Sequence, residues 1–385
     1  DKLPVVRNLE ALSAQCTDLF LWLDCDREGE AIAYEVIEIC ARTNAALTVH
    51  RARFSSVTPS ELAAAFGRPA APNPRLNLAV RCRQEVDLRT GSAFTRFQTL
   101  HLRARRVTPA RQVVSYGPCQ FPTLALVVER FIRNSAFQDS PFWTVRAEAE
   151  GVGELLWERE RLFDHYIAAV LFERMHERPE GRVLALGRRR SARVKPLPLT
   201  TVEMQRLASS RLRMPSDVAM RAAEALYTKG FISYPRTETN AFPASFDLRA
   251  PIAALRAAPA YAAFAAKLLE GDEFERPRAG SRDDKAHPPI HPVRPFSGEP
   301  DGPEARLFDL VARHFLAACA RNAETEVVEL LADIGGERFK ASGTCVRAKH
   351  FLEIYERFQR VTERELPELA VGQSLTVRSL LLSEG

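Results

Sequence analysis

The sequence has no Cys-x-x-Cys pair among its seven cysteines, so it lacks the spacing typical of a zinc ribbon and gives no sign of a disulfide framework. No apolar run reaches the roughly 18 residues that a membrane-spanning helix needs, and the run near residues 19–23 has the length of a strand. An ATP-binding Gly-x-x-x-x-Gly-Lys-Ser motif, an internal repeat and a low-complexity tail are also absent. We therefore expect a folded protein of a reducing, intracellular compartment that neither enters a membrane nor uses ATP.

Length and composition favour a multidomain protein. At 385 residues the chain is longer than one hydrophobic core usually organises, which predicts two to four structural units. Hydrophobic residues make up 46% of the chain and charged residues 27%, the balance of a globular protein rather than a disordered one. The net charge is +5, and most of the 54 basic residues are arginine, the better bidentate partner for phosphate. Composition alone leaves two interpretations open, a nucleic-acid partner or a codon bias.

The start of the chain alternates between helical and extended patterns. Helical patterns cover residues 8–15 and 30–42, and apolar extended stretches cover residues 19–23 and 49–54. This alternation predicts a parallel sheet of the doubly wound type.

A mainly helical unit is predicted from residue 58 to about residue 133. Thr58 has the position of an N-cap, Pro59 the first helical position and Glu61 a place in the first turn. After it, alternating residues at 142–149 and 182–186 predict strands, with a helix between them at 162–175. A β-rich unit is therefore expected to follow the helical one.

A winged helix-turn-helix is predicted next. Thr200 and Glu203 form a capping box, and Ser216 is expected to cap a second helix that Gly230 ends. The extended residues 231–234 would then form the wing. Such units often bind nucleic acid, although many only pack against neighbouring elements.

The last third of the chain combines a long loop with further strands. Residues 271–302 are rich in proline, glycine and charge, which predicts a loop long enough to suggest a function. Alternation returns at 327–334 and 339–346, so the β-rich unit is expected to be split around the winged helix.

An acidic cluster, Asp24-Cys25-Asp26-Arg27-Glu28-Gly29-Glu30, follows the predicted buried strand and precedes a helix. This places it at the carboxyl edge of the sheet, where open α/β folds bind ligands. Asp24 and Asp26 would point to one side of extended backbone, and their oxygens suit Mg²⁺ held together with phosphate. The alternative is helix capping, for which one carboxylate suffices. Four carboxylates without a cation would repel each other, so we favour a metal site that includes Glu28.

The segment Gly230-Phe231-Ile232-Ser233-Tyr234-Pro235-Arg236-Thr237-Glu238-Thr239 carries a candidate nucleophile. Pro235 favours extended backbone at Tyr234, and Arg236, two residues on, can face the same phosphate. A phenol is a weak nucleophile at neutral pH, and a nearby guanidinium favours the phenolate and stabilises charge on phosphoryl oxygens. A half-buried wing tyrosine beside a solvent-facing arginine is the alternative interpretation.

These motifs together resemble a known family. Asp-x-Asp-x-Glu-Gly-Glu after an apolar strand resembles the second half of a Toprim domain, which topoisomerases share with bacterial primases and some nucleases. The tyrosine segment closely resembles the active-site segment of type IA DNA topoisomerases of the topoisomerase III alpha kind. The resemblance implies that Tyr234 forms a 5′-phosphotyrosine link, that Arg236 holds the scissile phosphate and that Glu28 takes part in catalysis.

Three further segments carry the resemblance. Residues 81–96, which include Arg83, resemble the stretch that joins the Toprim unit to the helical domain. Ser-Tyr-Gly-Pro-Cys-Gln-Phe-Pro at 115–122 resembles the DNA-groove segment, although Pro118 stands where many relatives carry an arginine. Asp-Lys-Ala-His-Pro-Pro-Ile at 284–290 resembles the Ala-His-x-x-Ile motif and places His287 near the tyrosine. The expected DNA-binding residues are Arg27, Arg83, Gln120 and Thr237.

The family implies a multidomain α/β plus α+β fold of toroidal architecture. It contains a Toprim (Rossmann-like) sheet, a helical base, a β-rich arch and a winged-helix domain that carries the catalytic tyrosine. The expected bounds are residues 1–56 for the Toprim part, 57–139 for the helical base, 140–199 and 324–385 for the two segments of the arch, and 200–323 for the winged helix.

The resemblance also implies a function and its partners. One strand of locally unpaired DNA is cut, another strand passes, and the cut is resealed with Mg²⁺ and without ATP or a zinc site in this chain. This would relax negative supercoils and unlink recombination, repair or replication intermediates. The implied partners are single-stranded DNA, a RecQ-type helicase and an OB-fold accessory protein, and the implied location is the nucleus, with mitochondria as a second site.

Two alternatives stay open at this point. A Toprim nuclease or primase would share Asp24, Asp26 and Glu28 but would not need Tyr234. The family's first Toprim strand, with its glutamate and lysine, would precede Asp1, and further helices would follow Gly385. We therefore expect a chain truncated at both ends, which could be a catalytically deficient DNA-binding fragment.

Overall fold

The computed structural model describes residues 2–385, and its backbone divides into two compact units. The first unit extends to Gln138 and also includes Lys285–His287. The second comprises Asp139–Asp284 and Pro288–Gly385. Among residues 2–385, no helix combines the length and the apolar character that a membrane crossing requires.

The first unit begins with the predicted helix, strand, helix, strand order. The elements are α1 (Leu3–Ser13), β1 (Asp18–Leu21), α2 (Arg27–Thr43) and β2 (Thr48–Arg51). β1 and β2 pair in parallel, which confirms the parallel arrangement expected from the alternation. Within residues 2–138 the sheet consists of these two strands, and both end earlier than their apolar patterns suggested.

Three helices complete the first unit: α3 (Pro59–Gly67), α4 (Pro74–Ala104) and α5 (Gln120–Ser135). The predicted start of α3 is confirmed, because the Thr58 hydroxyl accepts a hydrogen bond from the Glu61 amide at 3.4 Å and Pro59 takes the first helical position. α4 packs against α2 and so fixes the end of the sheet that carries the acidic cluster.

The second unit is built around a closed antiparallel β-barrel with the strand order β3-β4-β7-β6-β5-β8. Its buried centre includes Leu155, Trp157, Met175 and Phe339. The strands come from both flanks of a helical segment, as the split pattern predicted. They are β3 (Trp143–Ala149), β4 (Gly153–Trp157), β5 (Glu180–Arg193), β6 (Ala323–Ile334), β7 (Glu337–Ala348) and β8 (Ser374–Glu384), and α6 (His165–Glu177) lies between β4 and β5 in the chain.

The helical segment inserted between β5 and β6 contains more helices than the sequence patterns indicated. They are α7 (Thr201–Leu212), α8 (Ser216–Thr228), α9 (Arg249–Leu255), α10 (Pro259–Glu270) and α11 (Pro303–Ala318), and the short α12 (Leu352–Tyr355) follows β7. Residues 271–302 contain neither a helix nor a regular strand, in agreement with the predicted loop.

The ends of α7 and α8 test the capping predictions. The Thr200 hydroxyl accepts from the Glu203 amide at 3.3 Å, which confirms the start of α7. The prediction that Ser216 caps α8 was wrong, because Ser216 is the first helical residue and Pro215 before it has no capping side chain. Gly230 has a φ of +74°, a left-handed conformation that glycine adopts without strain, and it ends α8 as expected.

The predicted wing is reduced to isolated pairings. Ile232 pairs with Pro292 and Leu199 with Ile290, and residues 231–234 form no regular strand. Proline carries no amide hydrogen, so a ladder cannot continue through Pro235 or Pro292. The exact domain bounds given above stay predictions.

Candidate active site

The acidic cluster of the first unit lies between the end of β1 and the start of α2. Asp26 is the N-cap of α2, and its carboxylate accepts a hydrogen bond from the Gly29 amide at 2.7 Å. The capping role that the sequence left as an alternative is therefore present for one of the four carboxylates. A negative charge at this end of a helix is stabilised by the helix dipole.

Gly29 allows the loop to fold back on the helix. A Cβ atom at this position would lie 2.0 Å from the backbone oxygen of Asp24, a distance that no side chain can tolerate. The absence of a side chain at Gly29 therefore holds the Asp24 backbone directly over the first turn of α2.

Cys25, between the two aspartates, anchors the loop on the segment after β2. Its Sγ accepts a hydrogen bond from the Phe54 amide at 3.1 Å and lies 3.9 Å from the Ala52 carbonyl oxygen. Burial raises the pKa of the Cys25 thiol, so it stays protonated at neutral pH. In extended backbone the neighbours of an inward-facing residue point the other way, which favours a shared direction for Asp24 and Asp26.

A buried arginine that the sequence analysis missed holds this loop in place. Arg51, the last residue of β2, is fully buried, and its Nε donates to Glu30 Oε2 at 3.0 Å. Its two Nη atoms donate to the carbonyls of Leu23 and Asp24 at 2.7 and 2.6 Å, and to those of Leu21 and Ala52. A buried charge is tolerated only when it is paired and fully hydrogen-bonded, and Arg51 meets both conditions.

Glu28 and Glu30, the other acidic residues of the cluster, have arginine partners. Glu28 Oε1 lies 2.8 Å from Arg83 Nη1, with both side chains about half exposed, and Glu30 pairs with Arg51. The mutual repulsion expected of the four carboxylates in the absence of a cation is thus offset by two guanidinium groups. Within residues 2–385, no three His, Cys, Asp or Glu side chains are grouped so that they could hold a metal ion.

The donor set nevertheless fits the minimal form of a magnesium site. Mg²⁺ is commonly held by one or two carboxylates together with waters and substrate phosphates. Asp24 and Asp26 supply two such carboxylates at the carboxyl edge of the sheet. The inclusion of Glu28 as a third ligand stays a prediction.

The tyrosine segment belongs to the second unit and is rigidly held there. Tyr234 is 4% exposed and packs edge to face against Tyr227, with ring centroids 5.2 Å apart. Its neighbour Ser233 is fully buried, donates its amide hydrogen to the His291 carbonyl and accepts from the His291 amide, both at 3.0 Å. The main chain next to Tyr234 is therefore held by hydrogen bonds to the loop that contains His291.

The backbone after Tyr234 is fixed by Thr201 at the start of α7. The Thr201 hydroxyl donates to the carbonyls of Pro235 and Thr237 at 2.7 and 3.0 Å, and accepts from the Thr237 amide at 2.9 Å. The Thr237 hydroxyl in turn donates to Asp284 Oδ2 at 2.8 Å. Thr237 is buried, so the structure gives this predicted DNA-binding residue a role in ordering the loop.

Arg236 extends from the ordered segment towards α8. Its Nε donates to Glu224 Oε1 at 3.1 Å, its Nη2 contacts the same oxygen, and 61% of the side chain is exposed. An ion pair this exposed contributes little to stability, about 0–1 kcal/mol. The Glu224 pair therefore contributes little to holding Arg236, and the phosphate contact of Arg236 stays a prediction.

The remaining predicted site residues are distributed over the first unit. His287 lies in the Lys285–His287 segment and is buried, with its Nδ1 3.3 Å from the Ser55 hydroxyl. Arg27 is the exposed first residue of α2, Arg83 lies on α4 and Gln120 is the exposed first residue of α5. Their contacts with DNA, and the proximity of His287 to Tyr234, stay predictions.

Comparison with known proteins identifies the family. The sequence matches the family described as "DNA topoisomerase" over residues 71–385 and the "Toprim domain" over residues 1–57. It is 38% identical to DNA topoisomerase 3 of Dictyostelium discoideum over 100% of this chain and 50% of that protein. It is 40% identical to DNA topoisomerase 3-alpha of Homo sapiens over 99% of this chain and 38% of that protein. The chain thus spans half or less of the length of these relatives.

A solved structure supports the same assignment at the level of the fold. Full-length topoisomerase I from Thermotoga maritima superposes with a TM-score of 0.75, covering 100% of this chain and 62% of that one, at 22% identity. DNA topoisomerase 3-alpha of Arabidopsis thaliana is 40% identical over 99% of this chain and 42% of its own length. The acidic loop, the tyrosine segment and these matches agree, and the chain belongs to the type IA DNA topoisomerase family.

Proposed function

We propose that this chain carries the strand-cleaving centre of a type IA DNA topoisomerase, with Tyr234 as nucleophile and single-stranded DNA as substrate. The observation that carries the proposal is the tyrosine segment, which resembles the family's active-site segment and is held by hydrogen bonds from Thr201 and His291. An ordered nucleophile beside an exchangeable arginine suits phosphoryl transfer, in which positioning and charge stabilisation supply most of the catalysis.

The proposed reaction is a reversible transesterification. The Tyr234 phenolate oxygen attacks the phosphorus of one phosphodiester, a bond forms to the 5′ phosphate, and the 3′ hydroxyl leaves with a proton. Religation reverses these steps, so no high-energy cofactor is consumed and ATP is not required. Arg236 favours the phenolate and stabilises charge on the phosphoryl oxygens. His287 is proposed as a further group at the scissile phosphate.

Mg²⁺ is proposed as the cofactor, held by Asp24 and Asp26, with Glu28 as an additional ligand or acid-base group. When bound, the ion would neutralise charge on DNA phosphates and fix the backbone during strand passage and religation. Arg51 and Gly29 serve this role indirectly, because they set the position of the Asp24 backbone.

The two alternatives that the sequence left open are not equally well supported. A Toprim nuclease or primase is not favoured, because the match to the DNA topoisomerase family covers residues 71–385, well beyond the acidic motif. A DNA-binding fragment without catalysis is the second candidate, since the chain spans 50% of the Dictyostelium discoideum relative and 38% of the human one. A covalent adduct separates the two.

The membership of the family supports a proposal for partners and location. We propose that the chain acts on single-stranded or locally unpaired DNA, in the nucleus, with mitochondria as a second location. A RecQ-type helicase and an OB-fold protein are the proposed accessory partners. The relatives named above are eukaryotic topoisomerases 3, which supports the nuclear assignment.

The decisive experiment compares two neighbouring tyrosines. The chain is incubated with 5′-labelled and 3′-labelled single-stranded oligonucleotides and Mg²⁺, and adducts that resist denaturation are resolved on a gel. We expect an adduct through the 5′ phosphate that Tyr234→Phe abolishes and Tyr227→Phe retains, because both rings share one contact and only one is the nucleophile. Strand binding without any adduct would favour the DNA-binding fragment.

A further inference from the structure

A cavity of about 630 Å³ lies in the second unit where the chain passes from β5 into α7. Its wall is formed by the end of β5, the segment 194–200, α7, the loop near residues 278–282 and the residues after α12. No residue of the tyrosine segment 230–239 lines it, so it is distinct from the proposed cleavage centre.

The cavity is strongly basic. Among residues 2–385, Glu203 is the single acidic residue that lines it, and Arg206 neutralises that carboxylate through a bidentate pair of 2.7 and 2.6 Å. Concave surfaces with one sign of charge and low-dielectric walls concentrate the electrostatic potential and attract counter-ions. The basic lining residues are Arg193, Lys195, Arg206, Arg211, Arg278 and Arg282.

Two of these basic residues, the buried Lys195 and the exposed Arg278, are held in place by hydrogen bonds to the backbone, and two buried groups line the cavity beside them. Lys195 is 1% exposed and donates to three backbone carbonyls at 2.7–3.2 Å, and Arg278 donates to the Lys195 carbonyl at 3.0 and 2.7 Å. His314 lies beneath, with Nε2 2.7 Å from the Leu197 carbonyl and Nδ1 2.7 Å from the Tyr355 hydroxyl. These bonds make the wall rigid, so a ligand would meet a preformed surface.

Arg193, Arg211 and Arg282 are available for a ligand. All three are exposed and line the cavity, and none takes part in an ion pair within residues 2–385. A guanidinium group binds phosphate through two parallel hydrogen bonds. Three guanidinium groups require several negative charges, which one carboxylate or a neutral ligand does not supply and a ligand with several phosphate groups does. A phosphate group is therefore the ligand chemistry that fits.

The positive charge continues beyond the cavity along β5. Arg188, Arg189 and Arg190 are exposed on the same strand that delivers Arg193 to the cavity. Consecutive strand residues point to opposite faces, so Arg189 shares a face with Arg193, and Arg188 and Arg190 lie on the other face. At about 3.3 Å per residue, the β5 arginine row of Arg189 and Arg193 extends roughly 13 Å, further than a single small anion can use. Arg189 also forms an exposed ion pair with Glu329 at 3.4 Å, which a phosphate can replace at small cost. A polymer of phosphates would contact both the row and the cavity.

From this arrangement we propose that the cavity and the β5 arginine row bind the backbone of single-stranded nucleic acid, as a second site apart from Tyr234. This inference rests on the proposed function only for the identity of the polymer, a single-stranded nucleic acid. The site itself depends on Arg193, Arg211 and Arg282, which take no part in cleavage.

The test uses the chain with Tyr234→Phe, so that no covalent step contributes. Binding of a fluorescent oligo-dT is measured by anisotropy over a range of salt concentrations for Arg193→Gln/Arg211→Gln/Arg282→Gln. The matched control is Arg146→Gln/Arg256→Gln/Arg378→Gln, which removes the same charge from exposed arginines of the second unit. Each phosphate contact contributes about 0.7 to the slope of log Kobs against log salt for single strands.

We expect the cavity variant to lower that slope by about 2 and to weaken binding about tenfold or more, and the control to change neither. The corresponding Arg→Lys triple variant should keep the slope, because counter-ion release depends on charge, and lose only part of the affinity. Melting curves equal to the parent exclude misfolding. Equal slopes for the cavity and control variants would overturn the proposal.

Inorganic tripolyphosphate is used to distinguish two ligands of the cavity, a small phosphate anion and the backbone of a nucleic acid. If it binds in an arginine-dependent manner while oligo-dT does not respond to the cavity substitutions, the cavity is a small-anion site and the proposal fails. Failure of the cleavage chemistry is seen separately, as loss of the Tyr234 adduct with oligo-dT binding and its salt slope intact. The two proposals therefore fail in different assays.

Discussion

Arg51 and Glu30 form a buried ion pair beneath the acidic loop, with Nε 3.0 Å from Oε2 and both side chains less than 5% exposed. We predict that Glu30→Gln destabilises the first unit by about 3–5 kcal/mol, because it leaves a buried guanidinium without its counter-charge. Arg51→Met should be more destabilising still, since four backbone carbonyls then lose the hydrogen bonds that Arg51 donates. Urea unfolding measures both changes.

The control for this pair is Arg81 and Glu38, which form an exposed ion pair on α4 and α2. Arg81→Met should change stability by only about 0–1 kcal/mol. Hydrogen exchange of α2 and β2 should localise the effect of Glu30→Gln to the first unit. Comparable small effects at both pairs would contradict the structural role of Arg51.

Gly29→Ala and Gly91→Ala should change stability in opposite directions. Both glycines lie inside helices, where alanine is normally favoured by about 0.5–1 kcal/mol. At Gly91 the new Cβ would meet only the Tyr116 carbonyl at 3.8 Å, so we expect that gain. At Gly29 it would lie 2.0 Å from the Asp24 oxygen, so we expect a loss of about 1–3 kcal/mol. Thermal unfolding of the two variants provides the comparison, and a stabilised Gly29→Ala would refute the described loop.

His314 should make the second unit sensitive to acid. Burial lowers its pKa from 6.5 to about 4, so between these values the unfolded chain binds a proton that the folded chain does not. Its contribution to stability is therefore complete above pH 6.5 and decreases as the pH falls towards 4, by roughly 3 kcal/mol in total. Urea midpoints measured at pH 7 and pH 5 should show the loss.

His314→Gln is the variant for this measurement. Its amide can still donate to Leu197 and accept from Tyr355, and it does not titrate. The variant should start less stable at neutral pH and show a shallower decrease towards pH 5 than the parent chain. Parallel pH profiles for the two proteins would assign the acid sensitivity to other groups.

Glu224→Gln should strengthen binding of single-stranded DNA, because it removes the carboxylate that holds Arg236. We expect the Kd to fall about two- to fivefold at low salt, the effect decreasing as salt rises. Asp217→Asn is the matched control: it also lies on α8, pairs with the exposed Arg221 at 3.0 Å and changes the net charge equally. An equal gain from both variants would show a general charge effect and no competition at Arg236.

Arg236→Lys tests the planar geometry of the same group. Lysine keeps the charge but loses the fork that binds two phosphoryl oxygens, so cleavage should decrease more than DNA binding does. The measurement compares the yield of the covalent adduct with the Kd for the same oligonucleotide. Equal losses would make Arg236 a binding residue only.

Local signals in the sequence predicted the local parts of the fold. The start of α3 at Thr58 and Pro59, and the end of α8 at Gly230, depend on residues within one turn, so the sequence contains the whole cause. The prediction for Ser216 was wrong because serine is a good capping residue, but here it is the first helical residue and Pro215 takes the capping position. The motifs of the candidate site are local as well: the tyrosine segment is one continuous run of ten residues, so its resemblance to the family is visible without knowledge of its surroundings.

Features that depend on distant partners escaped the sequence analysis. The long strand β8 pairs with β3, more than 200 residues away, and its partly exposed pattern gives no clear alternation. Arg51 looks like a surface arginine at the end of a strand, and only the fold shows that Glu30 and four carbonyls surround it. Glu224, and the contact between Asp284 and Thr237, were missed for the same reason, since both carboxylates reach the tyrosine segment from another part of the chain.

Arg193 at the end of β5 lies directly opposite Ala323 at the start of β6. The helical segment thus leaves the barrel and returns at one rung of the same ladder. Loop-closure entropy increases with the length of a flexible connection, and a folded connection with adjacent ends behaves as a short one. If the helical segment folds first, it therefore converts one of the longest closures of the barrel into the equivalent of a hairpin turn. The helical segment would then fold first, and the barrel, whose strands come before and after it in the chain, would fold around its two ends.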